Sequence, residues 1–242
     1  RPCLFGTEQY WHGILDHDGI PRQRYEEIKQ TGMEMQLISD VIDNTDVFSE
    51  ACVLHSFDNM WSHTYQWHSE GFDYNKLLYT AHNSIIANNI NCDVRDINAD
   101  LSPYKLVVMP AYNISSEKDA EKLSDYVKNG GHLVITFRSG NRDEFNKING
   151  LTLPGYFREL SGIDVINYDP VGMVSRSASG MTGKFTADVW CDVIDGKDTA
   201  VLAEYTDGFY KGSPCITVNK YGKGYVYYIG CNMKIDDLTL LY

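Results

Sequence analysis

Between residues 51 and 137 short apolar runs alternate with stretches of helical spacing, an order that few architectures accommodate. Ala51-Cys52-Val53-Leu54, Cys92 to Val94, Lys105-Leu106-Val107-Val108-Met109-Pro110 and His132-Leu133-Val134-Ile135-Thr136-Phe137 read as strands. The longer runs are continuously apolar rather than alternating, which predicts strands buried on both faces. Tyr74 to Asn88, with Leu77, Leu78, Ala81, Ile85 and Ile86 at helical spacing, and Ser116 to Lys128 predict the intervening helices. The second is well bounded, because Ser115 or Ser116 can cap it, Glu117 lies in its first turn and Asn129-Gly130-Gly131 ends it. Strand and helix in alternation imply βαβ crossovers, hence an α/β fold with three α/β/α layers around a mostly parallel sheet.

The flanking segments read differently. The first 20 residues are irregular and end in the turn cluster Asp16-His17-Asp18-Gly19-Ile20-Pro21. From Arg22 to Asp43, Tyr25, Ile28, Met33, Leu37, Ile38, Val41 and Ile42 recur at helical spacing, interrupted by Gly32. Beyond Gly140 come a polar loop from Asn141 to Gly150 and a short helix around Tyr156 to Leu160. Phe185 to Trp190, Ala200 to Tyr205, Pro214 to Val218 and Tyr225 to Ile229 then alternate between turns such as Asp195-Gly196 and Tyr221-Gly222-Lys223-Gly224, which predicts antiparallel pairing in the last third. At 242 residues the chain has room for one large domain, or one domain plus a fragment. It opens on Arg1-Pro2-Cys3 without an initiator Met, as a cut through a longer protein would.

Charge and motifs narrow the functions. Thirty-three acidic residues against 21 basic ones leave a net charge of −12, which repels a phosphate backbone or an anionic membrane and argues against both as partners. The six cysteines are dispersed without a CxxC pair, a pattern of reduced thiols that points to the cytoplasm. A nucleophile would be sought in the turn after a central strand, yet after Phe137 stands Arg138-Ser139-Gly140-Asn141, with no Cys and no base that the sequence selects for Ser139. His55, His63 and His68 lie near Asp58 and Glu70, but their spacings match neither an HExxH helix nor a finger, and Gly130, Gly131 and Gly140 do not form a dinucleotide loop. No metal or other cofactor is expected. Glu8, within Gly6-Thr7-Glu8-Gln9-Tyr10-Trp11-His12-Gly13, is either a solvated loop acid or a carboxylate placed among rings as a sugar subsite requires.

From His55 to Phe72 the sequence holds Phe57, Met60, Trp61, Tyr65, Trp67 and Phe72 in one strand-to-helix connection, more large side chains than one core can take up. They predict a contact with another surface, with Trp61 and Trp67 as anchors and Asp58 and Asn59 hydrogen-bonding at its rim.

Four stretches, one at the start and three in the body of the chain, are similar to a known family. Arg1 to Gly19 resembles the end of the catalytic (β/α)8 barrel of family 42 glycoside hydrolases, the β-galactosidases. Phe57-Asp58-Asn59-Met60-Trp61, Asp100 to Pro110 and Tyr126 to Gly140, including Asn129-Gly130-Gly131-His132-Leu133-Val134-Ile135-Thr136-Phe137, resemble that family's trimerisation domain. The resemblance implies residues 1–46 as the last loop and helix of a barrel, 47–232 as a flavodoxin-like, class I glutamine-amidotransferase-like trimerisation domain, and 233–242 as a C-terminal helix or the start of a following segment. It implies a non-catalytic assembly module of a retaining β-galactosidase whose acid/base and nucleophile Glu lie upstream. It also implies a galactoside substrate for the intact protein and a homotrimer. Glu8 matches the family's sugar-binding Glu; Trp11 stands where the family has a His, and His12 follows it, so Glu8, Trp11 and His12 are the implied substrate-binding residues. A stand-alone amidotransferase-like enzyme and a carbohydrate-binding module, the latter suggested by 30 aromatic residues, are the alternatives.

Overall fold

The computed structural model describes residues 2–11, 13–197 and 199–242. The chain divides into two compact units, Arg1–Phe48 and Ser49–Tyr242.

The first unit holds a 3₁₀ turn, Thr7–Tyr10, and one long helix, α1 (Gln23–Ile42). Asp16 and Asp18 both accept from the Arg22 guanidinium, at 2.8 and 2.6 Å, which fixes the chain just ahead of α1. Helical spacing is realised, yet no residue of α1 is buried, and Leu37 is 84% exposed. A turn and a helix without a strand among the described residues do not by themselves show a barrel.

The second unit is built on ten strands: β1 (Ala51–Leu54), β2 (Cys92–Arg95), β3 (Leu106–Met109), β4 (His132–Thr136), β5 (Asp164–Gly180), β6 (Gly183–Asp195), β7 (Ala200–Tyr205), β8 (Pro214–Tyr221), β9 (Gly224–Ile229) and β10 (Cys231–Asn232). Its other helices are α2 (Phe57–Tyr65), α3 (Tyr74–Ile86), α4 (Glu117–Lys128), α5 (Arg158–Ser161) and α6 (Ile235–Leu241). The strands form one sheet in the order β10-β6-β5-β7-β8-β9-β4-β3-β1-β2. Pairing is parallel from β2 through β1, β3 and β4 to β9, with Ala51 opposite both Cys92 and Leu106, and His132 opposite Leu106 and Tyr225. From β9 through β8, β7, β5 and β6 to β10 it is antiparallel.

The α/β class therefore holds, but the expected mostly parallel, flavodoxin-like sheet does not: the sheet is mixed. Connection length is the physical reason. Turns of two to eight residues join β5 to β6, β7 to β8 and β8 to β9, and so short a link can return a strand only antiparallel to the one it left. In the parallel half the pleat sends alternate side chains to opposite faces, and helices cover both. Val53, Val108 and Val134 pack with Ala81 and Ile85 of α3 and Leu238 of α6. Cys52, Leu54, Val107, Met109, Leu133 and Ile135 pack with Leu123 and Val127 of α4 and with Phe157 and Leu160. Ser116 caps α4 through a reciprocal pair with Asp119. All six cysteines are unbridged; Cys52, Cys191, Cys215 and Cys231 are buried. Burial pushes the Cys52 thiol up to about 12 and the Cys191 thiol up to about 11. No helix among the described residues is long and apolar enough to cross a membrane.

Two glycines pack back to back beyond β4. Gly140 has φ +73° and a Cβ there would stand 2.0 Å from the Pro154 carbonyl oxygen, while a Cβ on Gly155, at φ +64°, would stand 2.0 Å from the Gly140 oxygen. Gly140→Ala is expected to cost about 1–3 kcal/mol from backbone strain alone. The urea midpoint measures it, and an unchanged midpoint would show that the turn can rearrange.

Candidate functional site

At the carboxyl ends of β1 and β4 the second unit gathers α2, the loop that follows it and the turn after β4. Ser56 caps α2 by accepting from the Asn59 N–H at 3.3 Å. The helix is held by a polar rather than an apolar buried face. Asn59 accepts from the Ile114 N–H at 2.7 Å and donates to the Ile114 carbonyl at 3.3 Å. Ser62 donates to Asn146 and accepts from Asn113, and His63 Nε2 lies 2.8 Å from the Ala111 carbonyl. A carbonyl can only accept, so this contact puts the imidazole proton on Nε2.

The turn after β4 places Arg138 in the left-handed region, at φ +60°. Its guanidinium lies against the Phe72 and Trp190 rings, 4.4 and 4.8 Å from their centroids, and donates to the main-chain carbonyls of Trp67 and Gln66. Arg142, 8% exposed, donates to the Asn146 carbonyl and to the Gln66 side-chain oxygen. His68, Ala111 and Val189 also carry positive φ, of 59°, 40° and 62°, so strained non-glycine backbone surrounds this region. Ser69 steadies Val189 by donating to its carbonyl. These groups border a cleft of about 740 Å³ whose lining includes Gln66, His68, Arg138, Asn141, Arg142, Tyr168, Trp190, Asp192 and Tyr228.

Asp192 forms part of its wall, buried, accepting from Trp190 Nε1 at 2.8 Å and from the Tyr228 hydroxyl at 2.7 Å. Burial pushes its carboxyl up to about 6, against the pull of those donors and of the Arg138 N–H. Burial, reinforced by the Arg138 charge, pushes His63 down to about 3. Ser139 cannot serve as an exposed nucleophile: it is buried, donates to the Thr136 carbonyl at 2.7 Å and accepts from the Tyr112 N–H at 3.0 Å. Among the described residues no three His, Cys, Asp or Glu side chains are grouped to hold a metal.

The residues nominated from sequence fall in two places. Glu8 and Trp11 lie exposed in and after the 3₁₀ turn of the first unit; His12 lies outside the described residues. Asp58, Asn59 and Trp61 lie on α2 and Trp67 on the loop after it. Asp58 is exposed and Trp61 and Trp67 are 54% and 53% exposed, but Asn59 is 1% exposed and spends its amide on Ile114, so it pins α2 rather than meeting a rim. Sequence reasoning missed Arg142, Asp192 and the Trp190–Tyr228 pair. A signal existed for one of them: an acid inside the apolar run Val189-Trp190-Cys191-Asp192-Val193-Ile194.

Residues 49–242 match the family model described as the β-galactosidase trimerisation domain. The chain belongs to the β-galactosidase trimerisation-domain family. It is 31% identical over 98% of its length to β-galactosidase BgaA of Clostridium cellulovorans, of which it covers 36%. It superposes with a TM-score of 0.93 and 27% identity on the crystal structure of a β-galactosidase from Bacillus circulans sp. alkalophilus, covering 99% of this chain and 37% of that one. Gan42B, a GH42 β-galactosidase from G. stearothermophilus, gives a TM-score of 0.91 at 27% identity, covering 98% and 35%. The chain thus spans about a third of the length of the relatives it matches. Within this trimerisation-domain fold the cleft and α2 lie in the residues that the family model covers.

The two shifted groups oppose each other in acid. His63, held neutral when folded, stabilises the fold above its unfolded value of about 6.5 and withdraws that stabilisation as the pH falls toward about 3. Asp192, raised when folded, stabilises below its unfolded value of about 3.8 and loses that as the pH rises through about 6. Between about pH 4 and 6 each contributes a slope of about 1.4 kcal/mol per pH unit, of opposite sign. His63→Gln, which keeps a donor for Ala111, should therefore become more stable from pH 6 to 4, and Asp192→Asn less so, each relative to the parent. Urea midpoints at three pH values decide it; parallel profiles for all three proteins would remove the assignment.

Proposed function

We propose that this chain is the C-terminal part of a retaining β-galactosidase of glycoside hydrolase family 42, and that its larger unit is a non-catalytic module joining three copies. The observation carrying this reading is the family match over residues 49–242. Residues 1–46 then form the end of the catalytic barrel, 47–232 the amidotransferase-like assembly module and 233–242 its C-terminal helix or the start of a following segment. The whole protein hydrolyses terminal β-galactosides, and its unbridged thiols suit the cytoplasm. An independent nucleophilic enzyme at the β4 turn is disfavoured because the Ser139 hydroxyl is already engaged.

Assembly is assigned to the outer side of α2 and the loop after it, where Phe57, Trp61, Tyr65 and Trp67 are exposed together and Asp58 lies at the edge. Half-exposed tryptophans are the side chains that dominate interfaces once covered. Three copies around one axis require two different faces per copy, so this surface meets a face unlike itself. Trp61→Ala combined with Trp67→Ala in the whole protein should lower the mass in solution from three chains to one at micromolar concentration while circular dichroism stays unchanged. A double variant that remains trimeric would exclude this surface.

Glu8, with Trp11 and His12, is assigned to galactoside binding in the whole protein. A charge-assisted hydrogen bond to a sugar hydroxyl contributes about 1.5–3 kcal/mol, so Glu8→Ala should lower kcat/KM on the order of 10- to 100-fold without changing Tm. Unchanged kinetics would leave Glu8 as a solvated acid.

A further inference from the structure

The arginines of this chain divide sharply. Arg22, Arg24, Arg95, Arg158 and Arg176 each pair with an aspartate. Among the described residues only Arg138 and Arg142 form no ion pair, and both line the 740 Å³ cleft beyond β4. Their hydrogen-bond partners are neutral: three main-chain carbonyls, the Gln66 amide oxygen and the His68 ring. In an acidic chain these two neighbouring guanidiniums stand out, because they share a single acid, Asp192, which attracts Arg138 without closing an ion pair. One positive charge stays unmatched, and a buried charge is costly until an opposite charge meets it. Asp192 is the only acid in the lining among the described residues; it is hydrogen-bonded by Trp190 and Tyr228 and lies near enough to attract Arg138, which leaves two cations facing one anion. The positive potential also reaches a third wall group: burial, and then the Arg138 and Arg142 charges, hold the His68 imidazole below its ordinary value.

We propose that this cleft is a binding site for a small oxyanion, a phosphate or carboxylate group received between Arg138 and Arg142, with Asn141 at its edge. The guanidinium fork suits such groups, and both sources share the chemistry of a planar or tetrahedral set of acceptor oxygens. The site lies at the carboxyl ends of parallel strands, where open α/β sheets place ligands. No covalent step is involved.

Calorimetric titration of inorganic phosphate, and separately of acetate, into the 242-residue chain at ionic strength fixed with sodium chloride tests it. Saturable binding of at least one is expected, and the tighter of the two identifies the preferred head group. Arg142→Gln retains a donor toward Asn146 but not the charge, and should weaken binding about tenfold or more. Because that variant also disturbs the Gln66 contact, Asn141→Asp provides a second arm. The Asn141 side chain has no hydrogen bond among the described residues, so the change adds a negative charge at the cleft while leaving both arginines in place. It should weaken binding to a similar degree, with the urea midpoint unchanged or raised, because the added charge meets the two guanidiniums. Absence of saturable binding for either anion at tens of millimolar, or parental affinity in a folded Asn141→Asp, would overturn the assignment.

Discussion

β9 carries hydrogen-bonded neighbours of opposite sense on its two edges, parallel β4 on one side and antiparallel β8 on the other. Ten strands form one sheet because this six-residue segment serves both ladders. Its start is sterically determined: a Cβ on Gly224 would stand 2.1 Å from the Gly131 carbonyl oxygen and 2.5 Å from that of Val127, so the strand begins pressed against the end of α4. Its interior, Val226, Tyr228 and Ile229, is buried. From it the Tyr228 hydroxyl reaches Asp192 on β6, on the far side of β8, β7 and β5 in the strand order. One wall of the cleft is thus held by the same strand that unites the two halves.

Legibility followed the kind of side chain each element buries. β1, β3 and β4 could be read to within a residue or two because both of their faces are covered by helices, and continuous apolar runs are the signature of that arrangement. β5 escaped because its pairing with β6 shifts register at three places, and each shift breaks the alternation by which a strand is recognised. α2 escaped for a different reason. Its buried face is Asn59, Ser62 and His63, and a search for apolar periodicity is blind to a helix held by hydrogen bonds. Arg142 looked like one more charge in a polar loop, and nothing local distinguishes an arginine that folds inward.

The turn after β4 keeps a strained backbone without a nucleophile. Arg138 accepts the left-handed conformation, and its long side chain turns the strain to a positioning purpose by holding Gln66 and Trp67 through their carbonyls. The loop that bears a half-exposed tryptophan is therefore fixed by the same residue that charges the cleft. The proposed ligand site and the proposed contact surface would share this support, so a change at one would have a mechanical route to the other.

The buried thiols have a use outside any biological role. Cys52 lies on the parallel half of the sheet, and Cys191, Cys215 and Cys231 on the antiparallel half. Alkylating reagents attack the thiolate, which burial suppresses at Cys52 and Cys191, so these sites react only when their surroundings open. The fold carries native chemical clocks in both halves, and the relative labelling rates of Cys52 and Cys191 would reveal whether the two halves open together through β9 or separately.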